Sequence, residues 1–117
     1  MTGSPLSLDS LLPEAAGPED RRAEVFALLA LGVLDAIEAG ALSPESARSH
    51  FFNAANCLFT RRTLNLPEVE EVMSRGVELP DLFDALPADT AAGEACAEVA
   101  LMRASCLRIL TANRLVA

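Results

Sequence analysis

The chain has no tryptophan, no tyrosine and no lysine, and a single histidine among its 117 residues. Valine and isoleucine are scarce, and the only aromatics are five phenylalanines. Residues that favour strands are therefore nearly absent, which excludes a β architecture. The missing lysine leaves nine arginines as the only fixed cations against seventeen acids, a net charge of −8. A domain this acidic repels phosphate backbones and anionic membrane surfaces, so no nucleic acid and no membrane partner is expected.

His50 is the only histidine, and neither the C-x-x-C or H-x-x-x-H pairs of zinc sites nor the Glu-x-x-His signature of di-iron bundles occurs. Three cysteines, Cys57, Cys96 and Cys106, are an odd number at irregular spacing and make no disulfide framework. All three fall beside apolar neighbours in helical sequence and are expected as small buried core residues. Long apolar runs are also missing. Val25 to Leu34 is the longest, and it is too short to span a bilayer. The first ten residues show no basic region and no cleavage-like segment, which reads as a soluble, cytoplasmic, bacterial protein.

What is present is alanine and leucine, together about a third of the chain. These are the strongest helix formers, and the length suits one domain. The fold class expected is all-α, a single compact domain of about five helices. Residues 1–17 read as a loosely ordered arm that docks part of "LSLDSLL" as a helical turn, and residues 18–117 as the helical domain.

Local signals divide the domain. A first helix is expected from Gly17-Pro18 to Gly40, a second from the Ser43 cap and Pro44, with a break at Asn53. Asn65 closes the following piece in left-handed geometry. Pro67 opens a short helix, "PEVEEVMSR", which Gly76 stops. Glu68, Glu70 and Glu71 suit the positive end of its dipole. The last helix starts near Asp89 or Thr90 and runs close to the C-terminus. Its stripe is Ala92, Ala95, Cys96, Val99, Met102, Cys106, Ile109 and Leu110. The long first and last helices are expected as the central pair.

Between Gly76 and Pro87 lies "VELPDLFDAL". Leu79, Leu82, Phe83 and Leu86 recur at i, i+3, i+4 and i+7, one face of a two-turn helix. So short a helix does not hold alone in water, so the four are expected to dock on the protein's own core as a connector. The other reading is a motif laid into a partner's groove.

No catalytic constellation emerges. His50 and Cys57 lie two helical turns apart, too far for the hydrogen bond that a nucleophile and its base need. No phosphate loop and no nucleophile elbow occurs, and no cofactor or metal site is expected. A helix-turn-helix pairing would put three glutamates first into the groove, which argues against DNA. Arg61 and Arg62 are expected as solvated ends or partners for the protein's own acids.

"VLDAIEAGALSPESARSHFF" followed by "GVELPDLFDALP" resembles a family of small, functionally uncharacterised bacterial all-helical proteins. The matching residues are Gly40, Ser43, Glu45 or Ser46, Ala47, Phe52, Gly76, Glu78, Leu79 and Asp81, within residues 33 to 87. Ala54 stands where that pattern has a proline. The resemblance implies a compact helical fold and no activity.

On the first helix, Arg21, Glu24, Leu28, Leu31, Asp35 and Glu38 fall along one line opposite a core stripe of Phe26, Leu29, Ala30, Val33 and Ile37. This solvated line is apolar in its middle, with Val25 and Gly32 alongside. A homodimer interface built on Val25, Leu28, Leu31 and Gly32 is the expectation. The function expected is a non-enzymatic, self-associating protein–protein interaction module. The alternatives are an acidic immunity- or adaptor-type protein that binds a basic partner, and a small-ligand carrier or enzyme.

Overall fold

A computed structural model describes residues 5–12 and 21–112, and among these there are six α-helices and no strand. They are α1 (Leu8–Leu11), α2 (Arg22–Glu38), α3 (Pro44–His50), α4 (Ala54–Phe59), α5 (Pro67–Ala85) and α6 (Ala88–Ala112). One π-helical stretch, Thr60–Leu64, continues α4.

The ends of these helices follow local chemistry. At the end of α2 Gly40 is left-handed (φ 77°), and the amides of Gly40 and Ala41 close on the carbonyls of Ile37 and Ala36. That is a Schellman closure, and glycine bears its geometry without Cβ strain. Ser43 caps α3 by accepting from the Ser46 amide at 3.1 Å. Asn53 breaks the next stretch by capping α4, accepting from the Asn56 amide at 3.0 Å. Asn65 (φ 49°) ends the π turn, its amide bonded to the Thr60 carbonyl. Leu86 is extended because Pro87 follows it, and this ends α5. The expected start at Gly17-Pro18 lies outside the described residues, as does most of the arm; within them α2 begins at Arg22. Of the arm, Leu8 and Leu12 are buried in the core.

One expectation is corrected. Gly76 does not stop a helix, and the stretch after it is not a separate two-turn piece; α5 runs unbroken through both Gly76 and Pro80. The reason is tertiary. The Phe52 ring is fully buried and lies so close that a Cβ on Gly76 would overlap it. The absent side chain thus makes room for an aromatic rather than ending the helix. Pro80 offers no amide to the Gly76 carbonyl, four residues earlier. The adjoining Val77 carbonyl accepts from Arg48 Nη1 on α3 at 3.2 Å, and the same nitrogen reaches Asp81 at 3.2 Å. A cross-helix arginine therefore stitches the turn that proline weakens.

α6 packs along α2, and more extensively along the longer α5, with which it forms a helical hairpin; α2 and α6 are therefore not the central pair. The seam is laced by charge: Arg75 bridges Glu71 (3.2 Å) and Glu98 (2.8 Å), and the Ser105 hydroxyl donates to Glu71 at 3.2 Å. The core gathers Phe26, Leu34, Phe51, Phe52, Leu79 and Met102 between these helices. Phe51 stacks on Phe26 with centroids 6.0 Å apart and meets Phe52 edge to face at 5.1 Å.

Gly76→Ala is the sharpest test of this packing. On an open helix the change gains stability, because alanine is the better helix former. Here the new methyl meets a buried ring, and overpacking is expected to cost about 1–3 kcal/mol, read as a lower urea midpoint.

Candidate functional site

Two surfaces flank α2. Their geometry follows from how α2 meets α6. Ile37 and Glu38 lie near Ala95, Cys96 and Val99, whereas Asp35 is reached by Arg103 at 3.3 Å. Moving up α6 thus moves down α2, and the pair is antiparallel. Arg103 also pairs with Glu38. In this antiparallel register the turn of α6 beyond Arg103, which holds Leu107, faces the turn of α2 before Asp35, which holds Leu31.

The first surface is the outer face of α2. Leu28 is 52% exposed, Val25 is exposed too, and Leu107 is 49% exposed on the neighbouring helix. Leu28 sits two residues from the buried Ala30, on the opposite side of the helix. Leu31 is half-buried and packs against the core edge. A Cβ added at Gly32 would meet nothing within 4 Å, so this face is open. The core side of α2 is Phe26, Ala27, Ala30 and Leu34, with Leu29, Val33 and Ile37 half-buried at its margin. The stripe read from sequence was therefore turned slightly from the true one. Glu24, expected on the solvated line, is instead buried, and its Oε1 has no hydrogen-bond partner among the described residues. It shares its line with Leu31, Asp35 and Glu38, the side of α2 that meets α6.

The second surface is a recess of about 220 Å³ where α2, α3, α5 and α6 converge. Pro44, Phe83, Ala92 and Cys96 are among its walls, and Glu38 stands at its edge. Of the four residues expected to dock together, Leu79 is buried and Leu82 packs half-buried on the core. Leu86 is half-buried at the end of the helix. Phe83 differs: it is 45% exposed. It continues the line of Gly76 and Pro80 past the point where the core ends, which leaves its ring as a wall of the recess.

The cysteines separate. Cys106 is buried, and desolvation pushes its thiol up to about 11. Cys57 is half-buried, and burial raises its thiol despite the nearby Arg61. Cys96, expected in the core, is exposed. It follows Ala95 by one residue, a rotation of about 100° that carries it from the core edge toward α2 and the recess.

His50 ends α3 and Cys57 belongs to α4, so the break at Asn53 puts them on different helices. Among the described residues, no group of three His, Cys, Asp or Glu side chains is placed to hold a metal ion. No helix among them is long and apolar enough to cross a membrane. Arg61 lies 3.7 Å from Glu70, an exposed pair. Glu71 belongs to the α5–α6 seam rather than serving only the start of its helix. No family model matches the chain, and no curated protein and no solved structure matches it. The resemblance over residues 33 to 87 thus rests on the residue pattern alone.

Two measurements check this placement. A thiol-reactive dye is expected to label Cys96 quickly in the native protein, Cys57 slowly, and Cys106 only after denaturant is added. Equal protection of all three would contradict it. Phe83→Ala should cost about 1 kcal/mol or less, well under the loss for an emptied core site, because the ring is half in water.

Proposed function

We propose that the protein is a non-enzymatic interaction module that pairs with a second copy of itself through the outer face of α2. The exposed apolar strip of Val25, Leu28 and Leu107, with Leu31 at its inner edge, carries this reading. Two neighbouring helices present large aliphatic side chains at the same level. A two-fold axis through Leu28 would set each patch against its own mate, and Gly32 would let the backbones approach. The same reading places the protein in the cytoplasm, where its three free thiols stay reduced.

Energetics limit the affinity. Each leucine taken fully out of water contributes roughly 1.5–3 kcal/mol. Association costs about 4–15 kcal/mol in lost freedom. Two chains of −8 also repel each other, so the pairing should tighten as salt rises.

Sedimentation equilibrium at micromolar concentration tests the reading. A dimeric mass is expected for the wild type, with a larger dimer fraction at high salt. Leu28→Glu, which leaves the core untouched, should give a folded monomer. A monomeric wild type overturns the proposal, and a dimer indifferent to both Leu28→Glu and Leu107→Glu removes α2 from the interface.

A further inference from the structure

The recess between α2, α3, α5 and α6 combines an apolar floor with one acid in its lining, Glu38, and further acids on the adjoining turns. Ile37, Ala95 and Val99 line its inner part, and Phe83, Ala92 and Pro44 its walls. An apolar cavity of about 150 Å³ is already large enough to hold benzene. About 220 Å³ therefore accepts one bulky apolar side chain. It falls short of the roughly 300–1,000 Å³ of small-molecule sites. Size thus favours an anchor residue on a larger partner over a free ligand.

The rim identifies the partner's charge. Glu38 borders the recess, and Glu45 follows Pro44 at the start of α3. Asp81 and Asp84 lie one turn apart on α5, on the flank that Arg48 reaches from α3. Asp89 lies one turn before Ala92 on α6. Two arginines attend this rim, and each is already shared: Arg48 between Glu45 and Asp81, Arg103 between Asp35 and Glu38. Asp84 and Asp89 are exposed and make no ion pair among the described residues. The corner carries a surplus of negative charge around an apolar floor.

We propose that this recess is a docking site for a cationic polypeptide, an amphipathic helix that seats one leucine- or phenylalanine-sized anchor between Phe83 and Ala92. Its flanking lysines or arginines lie over Asp84, Asp89 and Glu38. The anchor supplies burial, and the rim supplies steering and orientation. The site lies at the opposite end of the α2–α6 pair from Leu28 and Leu107, so it does not depend on the dimer.

The test uses the full chain and a fluorescein-labelled helical peptide of about fourteen residues, with leucine on one face and lysine on the other. A second peptide of the same composition, scrambled so that no face forms, is the control. Saturable anisotropy is expected with the first peptide, and the amide shifts of the protein should concentrate at Glu38, Phe83, Ala92 and Cys96. Ala92→Trp fills the recess from an exposed position and should weaken binding about tenfold. Asp84→Lys with Asp89→Lys should do the same while leaving every core contact in place. Affinity should fall with salt, the opposite of the dimer. The proposal is overturned if the two peptides bind alike, if shifts spread evenly over the acidic surface, or if they centre on Leu28 and Leu107. It is equally overturned if the charge-reversed protein binds as the wild type does. Recess shifts that appear on concentrating the protein without peptide would make a second copy the occupant and sink it too.

Discussion

The seat of Phe52 on Gly76 is the contact that the other helices depend on. Two consecutive phenylalanines at the α3–α4 break enter the core in different directions. Phe51 stacks on Phe26 of α2, and Phe52 turns edge to face with it and presses on α5. One dipeptide thereby ties three parts of the fold. The seat exists only because α5 has no side chain at that level. Glycine within a helix is less favourable than alanine by about 1 kcal/mol. Burying an aromatic of this size contributes roughly 1.5–3 kcal/mol, which more than offsets that. With α5 fixed there, Arg48 can reach the Val77 carbonyl and hold the turn that Pro80 weakens.

A broken helix leaves backbone groups without partners, and the way they are satisfied explains why the arm belongs to the fold. Asn56 is buried, and its side chain makes three hydrogen bonds. Its Oδ1 accepts from the Leu8 amide, and its Nδ2 donates to the carbonyls of Leu6 and Phe51, all at 2.9 Å. The Leu6 amide in turn donates to the His50 carbonyl at 2.9 Å. The carbonyls of His50 and Phe51 sit at the break itself. A buried polar group left unpaired costs about 1–3 kcal/mol, so arm and break stabilise each other. Leu8 and Leu12 then gain a place in the core that an arm without this amide would not hold.

Legibility in the sequence followed the range of the forces involved. Caps were readable because a cap is decided within four residues. Ser43, Asn53 and Asn65 each mark the boundary where the chain changes direction. Gly76 and Pro80 carry the same kind of local signal, yet there a distant ring overrode it. Nothing near Gly76 in the chain names Phe52 as its neighbour, so the long α5 could not be read. The exposed face of α2 was visible in its own wheel, whereas Leu107 was not, because its place beside Leu31 depends on the register of α2 against α6. Cys96 and Phe83 failed for a related reason: periodicity marks an apolar stripe but not where the core beneath it ends. The recess was beyond reach entirely, since its walls come from four helices.

Charge gives the two proposed surfaces different physics within one small domain. Several arginines are committed inside the fold. Arg75 and Arg108 serve the α5–α6 seam, Arg48 the α3–α5 contact, and Arg103 the α2–α6 contact. The acids outnumber them, and the excess remains on the outside. A like-charged second copy must overcome that excess, so aliphatic burial alone has to drive self-association, and screening helps it. A cationic helix is drawn by the same excess, and screening hinders it. Raising ionic strength would therefore move the two proposed equilibria in opposite directions through one cause, the net charge of −8. Neutralising substitutions on the recess rim carry the same logic: they weaken the cationic partner's attraction and relieve the repulsion between two copies. If both proposals hold, the balance between pairing with a second copy and holding a basic partner would be set by the acids that the internal ion pairs leave over.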